Sequence, residues 1–320
     1  MIRAVATLLA AALSMLAPMS ASAQSWPAKP VRIVVAYPPG GATDLQARLV
    51  AVKLKDRWGV PVVVENKPGG NTVIATETVA KAAPDGHTVL LTAMPFALNP
   101  LLIAKLPYNT ATDLVPVTLL ATIPNVLVVY PGLPVNSLDD LIKLARAEPG
   151  SVSFASTGQA TSTHLSGELF AKMAGLRLNH IPYKGSAPAH IDLISGRVSI
   201  MFDNGALQHV KGGKLKAIAV TSAKRVPWLP DTPTMTEQGL AGYEAAAWYG
   251  VFAPGGTPGE IVRKLADDIT WAVRSPDTVE KLTVAGAIAG GGSPEDFRSF
   301  LSIETEKWGR LVKDLGMKPE

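Results

Sequence analysis

The chain contains no cysteine. Disulfide staples, cysteine nucleophiles, iron–sulfur clusters and thiolate zinc sites are therefore excluded, and stability must come from a buried core. Charge is sparse as well, at 18% of residues, and no lysine- or arginine-rich block is interleaved with aromatics, so no nucleic-acid partner is expected. The common catalytic signatures are missing: there is no G-x-x-x-x-G-K-[ST] loop, no G-x-G-x-x-G after a strand and no G-x-S-x-G elbow. His87, His164, His180, His190 and His209 show no H-E-x-x-H or comparable spacing, and the carboxylates form no local pair suited to acid/base work. No metal, no cofactor and no enzymatic activity are expected. His164 lies two residues from both Ser162 and Ser166, a separation that points side chains apart on a helix, so it is expected to bond its own loop.

What is present begins with the first residues. Arg3 precedes an apolar run at 4–19, and Ala21-Ser22-Ala23 offers the small residues of a peptidase cut, which reads as a secretory leader cleaved after Ala23. The run is shorter than the ~20 residues of a membrane span and holds Pro18. Loss of residues 1–23 removes one charge, Arg3, and takes the formal net charge from +4 to +3. A periplasmic location is expected for a Gram-negative host. The remaining length, at 47% hydrophobic residues overall, suffices for about two domains.

Short β-branched runs alternate with amphipathic helical patterns, which predicts an α/β fold of parallel layers. Strands are expected at 31–37, 61–65, 88–92, 115–121, 125–130, 152–156, 178–183, 198–203, 215–221 and 248–253. Capping-box patterns begin at Thr43 and Thr257, and Ser137 and Ser293 each precede an Asp by three residues. Two apolar stripes are expected in the core: Leu45, Leu49 and Val52, then Leu165, Leu169 and Met173. Extended stretches at 123–131 and 242–254, punctuated by proline and glycine, suggest two crossings between two lobes. The expected division is 24–123 plus 245–320 for the first lobe and 124–244 for the second, a clamshell with two hinges.

Two loops carry candidate binding chemistry. The first strand runs into Pro38-Pro39-Gly40-Gly41-Ala42 and a helix at Thr43, which sets free N–H groups at a helix N-terminus, a natural anion site. The strand at 152–156 repeats the design with Thr157-Gly158-Gln159-Ala160-Thr161. If both loops face one crevice at the strand ends, a carboxylate fits between them without any arginine. Either loop alone reads equally as an ordinary turn, and so does Pro68-Gly69-Gly70-Asn71. Thr92, Tyr183 and Asp203 end predicted strands and are candidates for the same crevice; Asp203 is open between meeting a cationic ligand group and capping the next segment. Tyr37, Trp248 and Tyr249 either floor a pocket or pack the hinge.

The strings AYPPGGATDLQAR, VVVENKPGG, VAKAAPDGHTVLLT, ASTGQATSTHLSGELF, IPYKGSAP, FDN, AVTSAKR, LPDTPTMTEQG and WYGVFAPGGTP, in this order from about Trp26 onward, resemble the Bug proteins. These are the solute receptors of tripartite tricarboxylate transporters. The resemblance implies a two-lobe periplasmic-binding-protein fold of the type II, Venus-flytrap kind, each lobe a mostly parallel sheet flanked by helices. It also implies a receptor that hands a small carboxylate to membrane permease subunits; the ligand is expected to be a mono-, di- or tricarboxylate, aromatic acids included, and the protein a monomer. The ligand carboxylate in that family is held by main-chain groups and ordered water. By motif, one wall is Tyr37 with Pro39, Gly40, Gly41, Ala42 and Thr43, and the other is Ser156, Thr157, Gly158, Ala160 and Thr161, with Asp203 in the FDN position. Two departures stand out: residues 69–75 are less glycine-rich than the family pattern, and Ala160 stands where glycine is common. A sensor for a membrane signalling protein would use the same clamshell. A secreted α/β hydrolase would instead need a nucleophile such as Ser156 or Ser162.

Overall fold

The computed structural model describes residues 26–317, so the leader read into residues 1–23 lies outside the described part. Strands are numbered in chain order. The first sheet takes β1 (Val31–Val35), β2 (Val62–Asn66), β3 (Thr88–Ala93), β4 (Leu114–Pro124), β10 (Ala246–Pro254) and the two-residue β11 (Ile288–Ala289), in the spatial order β11-β4-β10-β3-β1-β2. The second takes β5 (Val126–Val129), β6 (Ser153–Ser156), β7 (Asn179–Pro182), β8 (Ile200–Asp203) and β9 (Lys216–Val220), in the order β7-β6-β8-β5-β9. Helices α1 (Ala42–Trp58), α2 (Val73–Ala80) and α3 (Pro95–Leu102) follow strands of the first sheet. Helices α4 (Leu138–Ala147), α5 (Ser162–Ala174), α6 (Ser186–Ile194) and α7 (Leu207–Lys211) follow strands of the second, and α8 (Gly259–Val273), α9 (Pro276–Val284) and α10 (Pro294–Asp314) close the chain. The expected two-lobe α/β architecture is present.

Both sheets are mixed rather than mostly parallel. β1 is parallel to β2 and β3, and β6 to β7 and β8, whereas β10 is antiparallel to β3 and β4, β11 to β4, and β5 to β8 and β9. The reason is topological. β5 and β10 are the strands by which the chain leaves the hinge, so they run against strands whose C-terminal ends point toward it. The crossings are sewn together: Thr221 donates its N–H and its hydroxyl to the Asn125 carbonyl, each at 2.9 Å, and the Ala245 N–H bonds the Thr221 carbonyl at 3.0 Å.

The core lies between sheets and helices. Val34, Val35, Leu90 and Leu91 are fully buried in the first sheet, as are Phe154, Met201 and Phe202 in the second. Strand alternation puts Trp248 into this core, edge-on to Phe297 and Phe300 at ring separations of 6.2 and 6.0 Å, and turns Tyr249 the other way. The C-terminal helix α10 also reaches the other lobe, where Asp314 pairs with Lys172 of α5.

Several local expectations are overturned. On α1 the buried face is Ala47, Val50, Ala51 and Leu54, while Leu45 and Val52 are 45% and 61% exposed. The small side chains let the helix lie close to the strands, and that spacing decides which of two overlapping stripes is buried. On α5, Leu165 is buried but Met173 is 37% exposed, and Phe170 and Ala174 complete the inner face. Thr43 is inside α1 rather than at its cap, and Thr257 bonds the Pro254 carbonyl instead of capping α8. Ser137 and Ser293 cap as expected, the latter in a reciprocal box with Asp296.

Candidate ligand-binding crevice

Between the lobes lies a cavity of about 630 Å³ at the C-terminal ends of the strands. Its first wall is the loop from β1 to α1, where Gly40 takes a φ of 84° that favours glycine. The buried Asp44 organises this loop. Its carboxylate accepts the Gly40 N–H at 2.9 Å, Arg48 Nε at 3.0 Å and Asn66 Nδ2 at 3.0 Å, and the same Asn66 amide bonds the Tyr37 carbonyl at 3.0 Å. The Arg48 bond, joined by those from Gly40 and Asn66, outweighs burial and holds the Asp44 carboxyl down at about 2. The Gly40 amide is therefore spent within the loop and not offered to an anion, contrary to expectation. The first intrahelical bond runs from Leu45 to the Gly41 carbonyl, so the N–H groups of Ala42 and Thr43 precede any partner in their own helix. Both residues line the cavity, at the positive end of a 17-residue helix.

The second wall is the loop from β6 to α5, and here too most loop amides are taken. Thr157 N–H bonds Thr163 Oγ1 at 2.8 Å, Gly158 N–H bonds Ser156 Oγ at 3.2 Å, and Ala160 N–H bonds His164 Nδ1 at 3.1 Å. What remains is the N-terminus of α5, at Ser162 and Thr163, beside the hydroxyls of Thr157, Thr161 and Thr163 gathered 2.9–3.0 Å apart. Ala160 has a φ of 56°, which explains why glycine is common there in the family it resembles.

The sequence-derived candidates divide cleanly. Tyr37, Pro39, Gly40, Gly41, Ala42, Thr43, Thr157, Thr161 and Asp203 line the cavity together. Thr92, Ser156, Gly158, Ala160 and Tyr183 do not. Thr92 and Ser156 are fully buried, Gly158 and Ala160 point their amides inward, and the Tyr183 hydroxyl donates to Asp192 at 2.8 Å. Asp203 does not cap the segment after it: Oδ2 stands 2.5 Å from His190 Nε2 and Oδ1 accepts the Ser186 hydroxyl at 3.2 Å. Sequence reasoning missed Met94, Ser162, Thr163, Ser186 and Asn204. The Pro68-Gly69-Gly70-Asn71 loop was open between a plain turn and a further source of N–H groups. Asn71 lines the cavity, its side chain tied to Asn99 Oδ1 at 2.9 Å. Of the aromatic candidates, Tyr37 and Tyr249 face the cavity, and burial, helped by the charge of Asp203, pushes the Tyr249 hydroxyl up to about 12. No lysine or arginine lines the cavity among the described residues.

Behind the second wall, His164, Glu168 and His180 come together, a grouping invisible in the sequence spacing. His164 bonds its own loop, as expected. Because its Nδ1 accepts the Ala160 N–H, the neutral ring keeps its proton on Nε2, 3.5 Å from Glu168, so that nitrogen is poorly suited to a metal. His180 Nε2 lies 2.7 Å from Ser156 Oγ, a separation typical of a nucleophile and its base. Ser156 is fully buried and away from the cavity, and burial, with His164 stacked alongside, pushes His180 down to about 4. In this pair the serine is out of reach of the cavity and the imidazole is a weakened base. Between about 4 and the ordinary 6.5, the unfolded chain binds a proton at His180 that the folded chain refuses. Stability should therefore fall as pH drops through this window, by up to about 1.4 kcal/mol per pH unit. Urea midpoints measured across it should lose that slope in His180→Gln; an unchanged slope would assign it elsewhere.

Known proteins resemble this chain over nearly all of its length. The family described as "Tripartite tricarboxylate transporter family receptor" matches residues 46–317. Protein BugT of Bordetella pertussis is 40% identical over 301 residues, covering 93% of this chain and 92% of that protein. Among solved structures, Rpa4515 of R. palustris with adipate superposes with a TM-score of 0.80 at 38% identity, covering 92% of this chain and 100% of that one. MatC of Rhodopseudomonas palustris with bound malate gives 0.75 at 31% identity, over 90% and 100%. The first-wall amides, the second-wall hydroxyls and the absence of a lining cation thus occur in a chain that belongs to the tripartite tricarboxylate transporter receptor family.

Proposed function

We propose that this chain is exported, with its leader removed after Ala23, and that it closes on one small carboxylate between two lobes, 24–123 plus 245–320 and 124–244. It then passes that carboxylate to the membrane subunits of its transporter, acting as a monomer and not as an enzyme. The observation that carries the reading is the cavity itself. Two helix N-termini, one from each lobe, open onto the same space with hydroxyls and no cationic side chain. Such a space favours an anion small enough to be gripped by main-chain donors and hydroxyls. Closure follows because a ligand can satisfy donors of both walls only when the lobes are together. Relatives with bound adipate and malate extend the reading to aliphatic carboxylates of four to six carbons.

Calorimetric titration of the purified protein with mono-, di- and tricarboxylates tests this. One or more members should bind at micromolar or tighter affinity and raise the melting temperature. A complete panel without binding would refute the reading.

A further inference from the structure

A second cavity, of about 760 Å³, lies against the first sheet and exceeds the crevice in volume. Helices α3 and α10 flank it, and β4 and β10 contribute its floor through Leu114 and Phe252. No residue lines both spaces, so capture of a carboxylate in the crevice does not account for this one.

The groove is apolar at depth and charged at its rim. Phe96, Leu114 and Phe252 line it and yet are only 3%, 3% and 1% exposed, so the floor is reached through a slot. A helix, ~10 Å across with its side chains, is too wide to touch such a floor, whereas an extended methylene chain is narrow enough. The volume also falls within the roughly 300–1,000 Å³ of small-molecule sites. Along α10, Leu301, Thr305 and Gly309 recur every four residues and present one continuous row to the groove. Three cations, Arg298, Arg310 and Lys313, border that row against a single carboxylate, Glu306, which pairs with Arg310. The rim is therefore net positive. Arg298 and Arg310 are separated by ~18 Å along the helix axis, so cations stand toward both ends of the slot.

We propose that this groove is a second ligand site, taking a linear amphipathic anion of the fatty-acid type, with its alkyl chain in the slot and its carboxylate on the rim cations. Burial of the chain supplies the affinity, and the rim selects the sign of the charge.

Calorimetric titration of the purified protein with octanoate, decanoate and dodecanoate, each below its micelle concentration, tests the assignment. Affinity should rise about three- to fourfold per added methylene. Dodecylammonium should bind at least tenfold more weakly than dodecanoate. Thr305→Trp, at an exposed position on the row, fills the slot and should abolish dodecanoate binding while leaving the binding of small carboxylates in the crevice unchanged. The chain-length series needs no variant, so it stands even if Thr305→Trp does not fold. Absence of dodecanoate binding, affinity independent of chain length or of the sign of the head group, or undiminished dodecanoate binding in folded Thr305→Trp overturns the inference. Protein that sediments with phosphatidylglycerol vesicles but binds no free alkyl carboxylate also overturns it, and assigns the groove to a membrane surface.

Discussion

Replacing Ala42 with proline should weaken carboxylate binding about 10- to 100-fold with little change in folding. Ala42 is the first residue of α1, where proline is tolerated because the N–H has no helical partner. Gly41 before it is already extended, at φ −82° and ψ 173°, the conformation that a following proline requires. The substitution therefore deletes one amide donor and little else. A hydrogen bond to a charged group contributes on the order of 1.5–3 kcal/mol, which sets the size of the loss. Ser162→Pro is the counterpart on the other lobe, where Thr161 is likewise extended at ψ 163°. Calorimetry and thermal melting of both variants check the pair. Unchanged affinity in both would mean that these helix ends do not hold the ligand.

Asp44→Ala should act more broadly. It removes the acceptor for Gly40, Arg48 and Asn66 together, and the last of these also braces the Tyr37 carbonyl. Losing bonds to a buried charge costs on the order of 1–3 kcal/mol of stability, and a loosened first wall should cost at least tenfold in affinity. The pH dependence has a definite sign. The folded carboxyl is held at about 2, below its ordinary 3.8, so its contribution is complete above roughly pH 4 and lost as pH falls through about 2. Denaturant midpoints at pH 7 and pH 2.5 should differ less in Asp44→Ala than in the wild type. Equal differences in the two proteins would place the acid sensitivity on other groups.

The strands were legible because β-branched runs such as Val31-Arg32-Ile33-Val34-Val35 and Thr88-Val89-Leu90-Leu91 declare themselves locally. The stretches expected to cross between lobes, 123–131 and 242–254, are where the chain passes from β4 into β5 and enters β10. The reversed direction of β5 and β10 was not, because it follows from the path of the chain between lobes rather than from any residue. At the crevice, a strand running into Gly40-Gly41 and then a helix pointed to the loop that lines one side of the cavity. Which amides stay free was hidden, since that depends on Asp44, Ser156 and His164 reaching back into their loops. Ser186 and Asn204 were hidden for a related reason: only the pairing of β8 with β6 and β5 brings their segments to the crevice. Period-two alternation along β10 does distinguish Trp248 from Tyr249, one for the core and one for the ligand space.

A crystal structure of the protein with a bound carboxylate tests the central claim most directly. The carboxylate should lie between the N-termini of α1 and α5, within hydrogen-bond distance of amides at Ala42 or Thr43 on one side and of amides or hydroxyls at residues 157–163 on the other. A ligand seated elsewhere, for instance in the apolar groove between α3 and α10 lined by Phe96, Leu101 and Leu301, with the crevice empty, would contradict it.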